Sequence, residues 1–261
     1  MKKPRLEKPT EDDRQAVRML VRLREDFQSM RKRTDNRIGQ KADGTSQNVA
    51  ERAFRLEDLD NFKNVSGAAR TQENEIEKML HQVLKRFPVY TEFLKNVKGV
   101  GDIAAGWIIA EYDINIATTV SKMWQFTGLN PGMVQGKKRI EHDDGTFSYE
   151  LSGDMVRGDR LTAGHVAPFN KRLRTAMVGV LADGFIKCQS PYCMNFYYPY
   201  KARLEQEEGW NEESKGHRDR AAKRYMIKMF LKDLYVAWRT LEGLPVREPY
   251  QVEYLGHRHS A

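Results

Sequence analysis

From residue 11 to residue 38 apolar side chains recur at steps of three and four, at Leu20, Leu23, Phe27 and Met30, while Arg14, Arg18, Arg22, Arg24, Arg31, Lys32, Arg33 and Arg37 crowd elsewhere. That spacing is helical, because a strand would need alternation. Thr10 followed by Asp12 and Asp13 predicts the start: a hydroxyl to cap free amides and two acids at the positive end of the helix dipole. The four apolar positions recur closer to 3.5 than to 3.6 residues, which predicts pairing as a coiled-coil arm; a solvated surface helix is the plainer alternative. Residues 39 to 47, Gly-Gln-Lys-Ala-Asp-Gly-Thr-Ser-Gln, carry the turn residues of a loop. Two further helices are expected at about 48 to 62 and 69 to 87, the second ending before Pro88.

With 261 residues, 40% hydrophobic and 31% charged, the chain is too apolar for a disordered protein and too polar for a membrane protein. No stretch approaches the roughly 18 uninterrupted apolar residues of a membrane span. The opening Met1-Lys2-Lys3-Pro4-Arg5-Leu6-Glu7 is followed by no apolar signal region. A cytoplasmic location is the expectation, and the two cysteines, Cys188 and Cys193, fit it. The net charge of +8 makes a polyanion the first partner to consider. Residues 165 to 203 hold six Lys and Arg against one Asp, and residues 215 to 232 hold seven against one.

Those two stretches read as long basic helices. Phe169, Leu173, Met177 and Val180 form an apolar stripe in the first, with Lys171, Arg172 and Arg174 off it. In the second, Ala222, Met226, Met229, Phe230, Leu234, Ala237, Trp238 and Leu241 form another, with Arg218, Arg220, Lys223, Arg224, Lys228 and Lys232 around its early turns and Gly243 and Pro245 as stops. Around the turn Asp143-Asp144-Gly145-Thr146 the texture alternates, which predicts a β-hairpin of about 137 to 142 against 146 to 151. The expected fold is mainly α. A helical arm spans 1–87, a domain 88–245 contains a helix-hairpin-helix (88–112) and a β insert (134–160), and a tail spans 246–261.

The segment with the clearest chemistry runs from Phe93 to Ile109. A helix is expected to end at Val97, a Gly99-Val100-Gly101 turn follows, and a second helix opens at Asp102 with the small residues Ala104, Ala105 and Gly106. Two glycines free the backbone to present amide N–H groups at a helix start, where a DNA phosphate can dock without any base being read. Lys98 adds a further phosphate contact. The plainer alternative is a helical hairpin whose glycines close a tight turn.

Cys188 and Cys193 would need His165 or His217 to complete a zinc site, and buried thiols are the default. Tyr192, Phe196, Tyr197, Tyr198 and Tyr200 read as core packing before base stacking. His257 and His259 sit in the polar tail.

The order of features then becomes recognisable. A basic helix from Leu20 through Arg33 to Asn36-Arg37-Ile38 precedes the Gly99-Val100-Gly101 hairpin, and Phe126-Thr127-Gly128-Leu129-Asn130-Pro131 follows. After the β insert come Asn170-Lys171-Arg172-Leu173-Arg174 and His217-Arg218-Asp219-Arg220-Ala221-Ala222-Lys223-Arg224. This order resembles the coiled-coil arm and carboxy-terminal transposase domain of the insertion-sequence family often called IS one-ten, whose transposases are associated with a bridge RNA. The resemblance covers nearly the whole chain. It implies DNA transposition and recombination, double-stranded DNA and a structured guide-type RNA as partners, and homo-oligomerisation through the arm. Family members also carry an amino-terminal RNase-H-like domain whose four acidic residues hold magnesium; this chain opens directly in the arm. Magnesium is expected only with a catalytic domain supplied in trans, and no cofactor in this chain. The family's nucleophilic serine follows the Gly-Leu-x-Pro motif, whereas Gly132-Met133-Val134-Gln135-Gly136-Lys137-Lys138 contains none, and Ser148 and Ser152 are the nearest candidates.

Three readings follow. The first is a transposase-family DNA-binding protein that lacks cleavage activity of its own, with contacts from Lys98, Gly99, Val100, Gly101, Asp102, Lys171, Arg172, Arg174, Arg218, Arg220, Lys223 and Arg224. The second is an active recombinase using Ser148 or Ser152 with a metal domain in trans. The third is a basic helical interaction protein without a nucleic-acid role.

Overall fold

The computed structural model describes residues 9–38 and 54–247. The expected loop at 39–47, the first residues of the helix expected from 48, the opening residues 1–8 and the tail beyond residue 247 with its histidines lie outside the described residues. The fold is mainly α with one two-stranded antiparallel ribbon. It forms two compact units. The first holds the described residues up to Phe87 together with Ala105–Ala110, and the second holds Pro88–Ala104 and the described residues from Glu111 onward.

In the first unit, α1 (Glu11–Ile38) pairs antiparallel with α2 (Leu56–Leu84), as the bridges Asp13–Arg86, Arg24–Glu77 and Arg31–Glu73 require. The start of α1 is a reciprocal box. The Asp13 amide donates to Thr10 Oγ1 at 3.2 Å and the Thr10 amide donates to Asp13 Oδ2 at 2.9 Å. That backbone bond, with Arg86 behind it, holds the Asp13 carboxyl below the usual carboxylate range.

Two expectations are corrected here. α2 is one uninterrupted helix where two were expected, because Leu59, Ala69, Ile76, Leu80 and Leu84 are buried along its length and carry it through Gly67. The buried stripe of α1 is also not the expected one. Leu20 is buried as expected, but Leu23 and Met30 stand 46% and 44% exposed, while Val17, Val21, Arg24 and Thr34 are buried as well. Beyond the amino-terminal end of α1 the seam becomes ionic alongside the buried Ile76 and Ala69 of α2. The Glu73 side chain is fully buried, with Arg31 Nε at 2.5 Å, Arg24 Nη2 at 3.5 Å and Arg70 Nη1 at 3.9 Å. Arg24 Nε also donates to Glu77 at 3.0 Å. Ala105–Ala110 completes this unit. Trp107 Nε1 donates to Glu25 Oε1 at 2.8 Å, and a Cβ on Gly106 would stand 2.8 Å from Val21, so glycine permits the approach.

The second unit runs α3 (Pro88–Glu92), a 3-10 turn (Leu94–Asn96), α4 (Asp102–Glu111, shared with the first unit), α5 (Val120–Phe126), β1 (Met133–Glu141) and β2 (Phe147–Arg157). It continues through α6 (Lys171–Arg174), a π-helical segment (Thr175–Leu181), α7 (Ala182–Lys187), a second π segment (Cys193–Tyr197), α8 (Tyr198–Gln206) and α9 (Lys215–Glu242). α9 is its spine: Ser214 caps it by accepting from the His217 amide, Gly243 ends it at φ 70°, and Met226, Ile227, Phe230, Leu231, Leu234, Tyr235 and Trp238 are buried along it. Around Phe230 the rings of Phe185, Tyr192 and Phe93 gather with centroids at 5.3, 5.5 and 6.4 Å.

The first carboxy-terminal basic helix is not regular. Leu173 and Met177 are buried as expected, but Phe169 precedes the helix and Val180 is 50% exposed. The π segment inserts extra residues per turn, so the buried face resumes at Leu181, Ala182 and Phe185. In the helix-hairpin-helix, the first helix expected to reach Val97 is replaced by α3 and the 3-10 turn. Gly99 is required there. Its φ is +100°, and a Cβ would lie 2.7 Å from the Phe185 ring. Gly101 has open space around it.

The ribbon is longer than expected, pairing Met133↔Arg157 through Glu141↔Phe147, with an irregularity between Gln135 and Lys137. Gly145, at φ +78°, makes its turn. Residues 137 to 147 and 149 to 151 are exposed.

Candidate functional site

The cationic residues of α9 recur every fourth position at Arg220, Arg224 and Lys228, which places them on one face of the helix. Arg220 is exposed; Arg224 and Lys228 are half-buried in the wall of a cleft of about 690 Å³. Arg157 at the end of β2, Asp159 and Arg160 form another wall, and Tyr200, Tyr225 and Trp210 supply aromatic surface. The Tyr200 and Tyr225 rings stack at 4.3 Å.

This cleft has more positive charge at its base than it compensates. Burial lowers the pKa of Arg224, and the neighbouring Arg174 and Arg220 lower it further, with Asp159 opposing. Burial likewise lowers the pKa of Lys228, and Arg224 adds to that. Asp159 is already held by Arg157, whose Nε and Nη2 donate at 3.0 and 3.2 Å. Among the described residues, neither Arg224 nor Lys228 has a hydrogen-bonded or ion-paired side-chain partner; the Lys228 ammonium lies 5.2 Å from the centre of the Trp124 ring. An anion placed beside half-buried cations that repel one another favours their charged forms.

The other basic residues expected at a nucleic-acid surface divide into two sets. Arg174 Nη1 donates to the carbonyls of Gly128 at 2.9 Å and Asp159 at 2.5 Å, so it fixes the edge of the cleft. Arg218 Nη1 donates to the carbonyls of Trp210, Asn211 and Glu213 and holds the loop before α9. Lys223 bridges Asp183 at 2.8 Å and Asp219 at 3.0 Å. By contrast Lys98, Gly99, Gly101, Lys171 and Arg172 are exposed, and Val100 is half-buried. Asp102 sits in the first turn of α4, where its carboxylate accepts from Tyr90 Oη at 2.6 Å.

Ser148 pairs with Ile140 across the ribbon, and its buried Oγ has no hydrogen-bond partner among the described residues. Ser152 lies beside the strand irregularity, 3.1 Å from His165 Nε2; Asp154 Oδ2 is also 3.1 Å from that nitrogen, and His165 Nδ1 is 3.0 Å from the Ala163 carbonyl. The sequence offered no sign of this trio, because the loop returning His165 to the ribbon sets it. Lys228, Arg157, Arg160 and Tyr225 were likewise absent from the expected site, although the four-residue step from Arg224 pointed to Lys228. Among the described residues no three His, Cys, Asp or Glu side chains group as metal ligands, and no helix is long and apolar enough to cross a membrane. No family model matches the chain, and no curated protein matches it.

Proposed function

We propose that the protein binds nucleic acid, as a relative of the transposases that its motif order resembles, with double-stranded DNA and a structured RNA as partners and with cleavage left to a metal-bearing domain supplied in trans. The observation that carries this reading is the pair Arg224 and Lys228, half-buried, with Arg224 disfavouring the charge on Lys228 and with the acid that opposes this, Asp159, already held by Arg157. A phosphate supplies the missing charge, and the exposed Lys98, Lys171, Arg172 and Arg220 extend a phosphate-contacting surface.

Salt response tests it. Binding that neutralises about six phosphates is expected to weaken with a log-log slope near −5, from roughly −0.9 per phosphate. Lys228→Met keeps the apolar stem over Trp124 and removes the charge. It is expected to flatten the slope by about one unit while raising the thermal midpoint, because an uncompensated half-buried cation is gone. A salt-independent association, or a Lys228→Met protein that binds unchanged, removes the cleft from the reading.

A second reading has its own observation. With Nδ1–H donated to Ala163, His165 Nε2 can accept the Ser152 proton. Ser152 Oγ would then form a bond to a backbone phosphorus as the bond from phosphorus to a sugar oxygen breaks, with the proton on His165 beside Asp154. End-labelled DNA with magnesium and the catalytic domain in trans should give a covalent band on a denaturing gel that Ser152→Ala abolishes. A gel without that band rejects this role.

A further inference from the structure

We infer that the cleft accepts a single unpaired nucleotide, its phosphate between Arg224 and Lys228 and its base against the aromatic wall, so that this site engages strand ends or extruded bases and not the duplex itself. The inference rests on the nucleic-acid reading above and narrows it. Size is the first reason. A volume of about 690 Å³ falls inside the roughly 300–1,000 Å³ range of small-ligand sites. A double helix, whose major groove alone is about 12 Å wide, does not enter such a space.

The chemistry of the walls is the second reason. A cationic base beside Tyr225 and Trp210 combines the two elements by which unpaired nucleic acid is held, charge for the backbone and a ring for the base. Tyr225 is braced by Tyr200 at 4.3 Å and by Phe196 at 6.3 Å, so its ring is a fixed platform. The third reason is the distribution of acids. Exposed Glu208 and Glu213 also line the cleft, Glu213 beside His217 at 3.3 Å, whereas the acid that acts on Arg224 and Lys228 is Asp159, which Arg157 already holds. A continuous phosphate track crossing these glutamates would be repelled, whereas one phosphate reaching the cations would not.

The test compares a blunt duplex, the same duplex with a three-nucleotide overhang, and deoxyadenosine monophosphate, all binding the full chain at low salt. The overhang is expected to tighten binding about tenfold or more, the scale of stacking one base on an aromatic ring. Arg224→Gln with Lys228→Met, or Tyr225→Leu alone, should erase that gain, with unaltered helical circular dichroism showing that each variant is folded. If the mononucleotide quenches a tryptophan signal that Trp210→Phe removes, while the overhang gives no gain, the pocket takes the same chemistry from a free nucleotide, which supports the pocket and overturns the strand-end source. Equal binding of blunt and overhanging duplexes with no mononucleotide effect overturns the inference and leaves the nucleic-acid reading intact. No binding of any nucleic acid overturns both.

Discussion

Glu73→Ala is expected to destabilise the α1–α2 pair by about 3–5 kcal/mol, the scale for breaking a buried ion pair from one side. The carboxylate has no solvent exposure and lies within 4 Å of three guanidinium groups, of which those of Arg24 and Arg31 are themselves largely buried. Removing it leaves those two positive charges in the seam, where the remaining carboxylates Glu77 and Asp35 each reach only one of them. Arg31 is the group most directly affected, since its bond to Glu73 is the main reason its pKa is raised. Urea unfolding followed by helical circular dichroism measures the loss. A triple replacement of Arg24, Arg31 and Glu73 by apolar residues of similar size should recover most of it, because the whole cluster, unlike half of it, can be exchanged for packing. A Glu73→Ala protein with an unchanged midpoint would mean that the cluster contributes nothing to this pair.

Phe230→Ala is expected to have a comparable effect in the second unit, about 3–5 kcal/mol. Phe230 is fully buried and is the ring on which Phe185, Tyr192 and Phe93 converge. Phe185 is also the ring that presses against Gly99, so a cavity at Phe230 loosens the support beneath the glycine turn. Phe230→Leu fills most of the space and should cost well under half as much. Thermal melts of the two variants check the order, and equal midpoints would show that the aromatic cluster is not a packing unit.

How much of this was legible in the sequence follows from the range of the interactions involved. α1 was readable to its ends because Thr10, Asp12 and Asp13 signal its start locally and its apolar spacing persists. Its buried face was not, since burial of Arg24 in place of Leu23 depends on carboxylates presented by α2 from more than forty residues away. The carboxy-terminal helix α9 was readable because its period is unbroken, while α6 and α7 were misjudged because a π segment changes the period in their midst. The site divides in the same way. Arg220 and Arg224 were visible as charges, as were Arg174, Arg218 and Lys223, whose partners include the carbonyls of Gly128 and Asp159 and the Asp183 carboxylate brought in by the fold, beside the nearer Asp219 and the carbonyls of Trp210, Asn211 and Glu213. Tyr225 acquires its place through Tyr200 and Phe196, which lie outside its own helix.

Near its base the ribbon is tied to the loop that follows it, where Val166 donates to Lys137 and His165 Nε2 lies 3.1 Å from Ser152 and Asp154, while the turn around Gly145 is exposed. Its reach is therefore adjustable without touching the helical core. Each residue pair added near Gly145 lengthens it by about 3.4 Å and turns over only the tip beyond the insertion, since Arg139, Tyr149 and Phe147 on the base side keep their face, so variants that preserve the facing of the tip should differ in steps of two pairs. In a lineage of such proteins the ribbon would be the ruler, free to change in length while the helices that bear the cleft stay as they are.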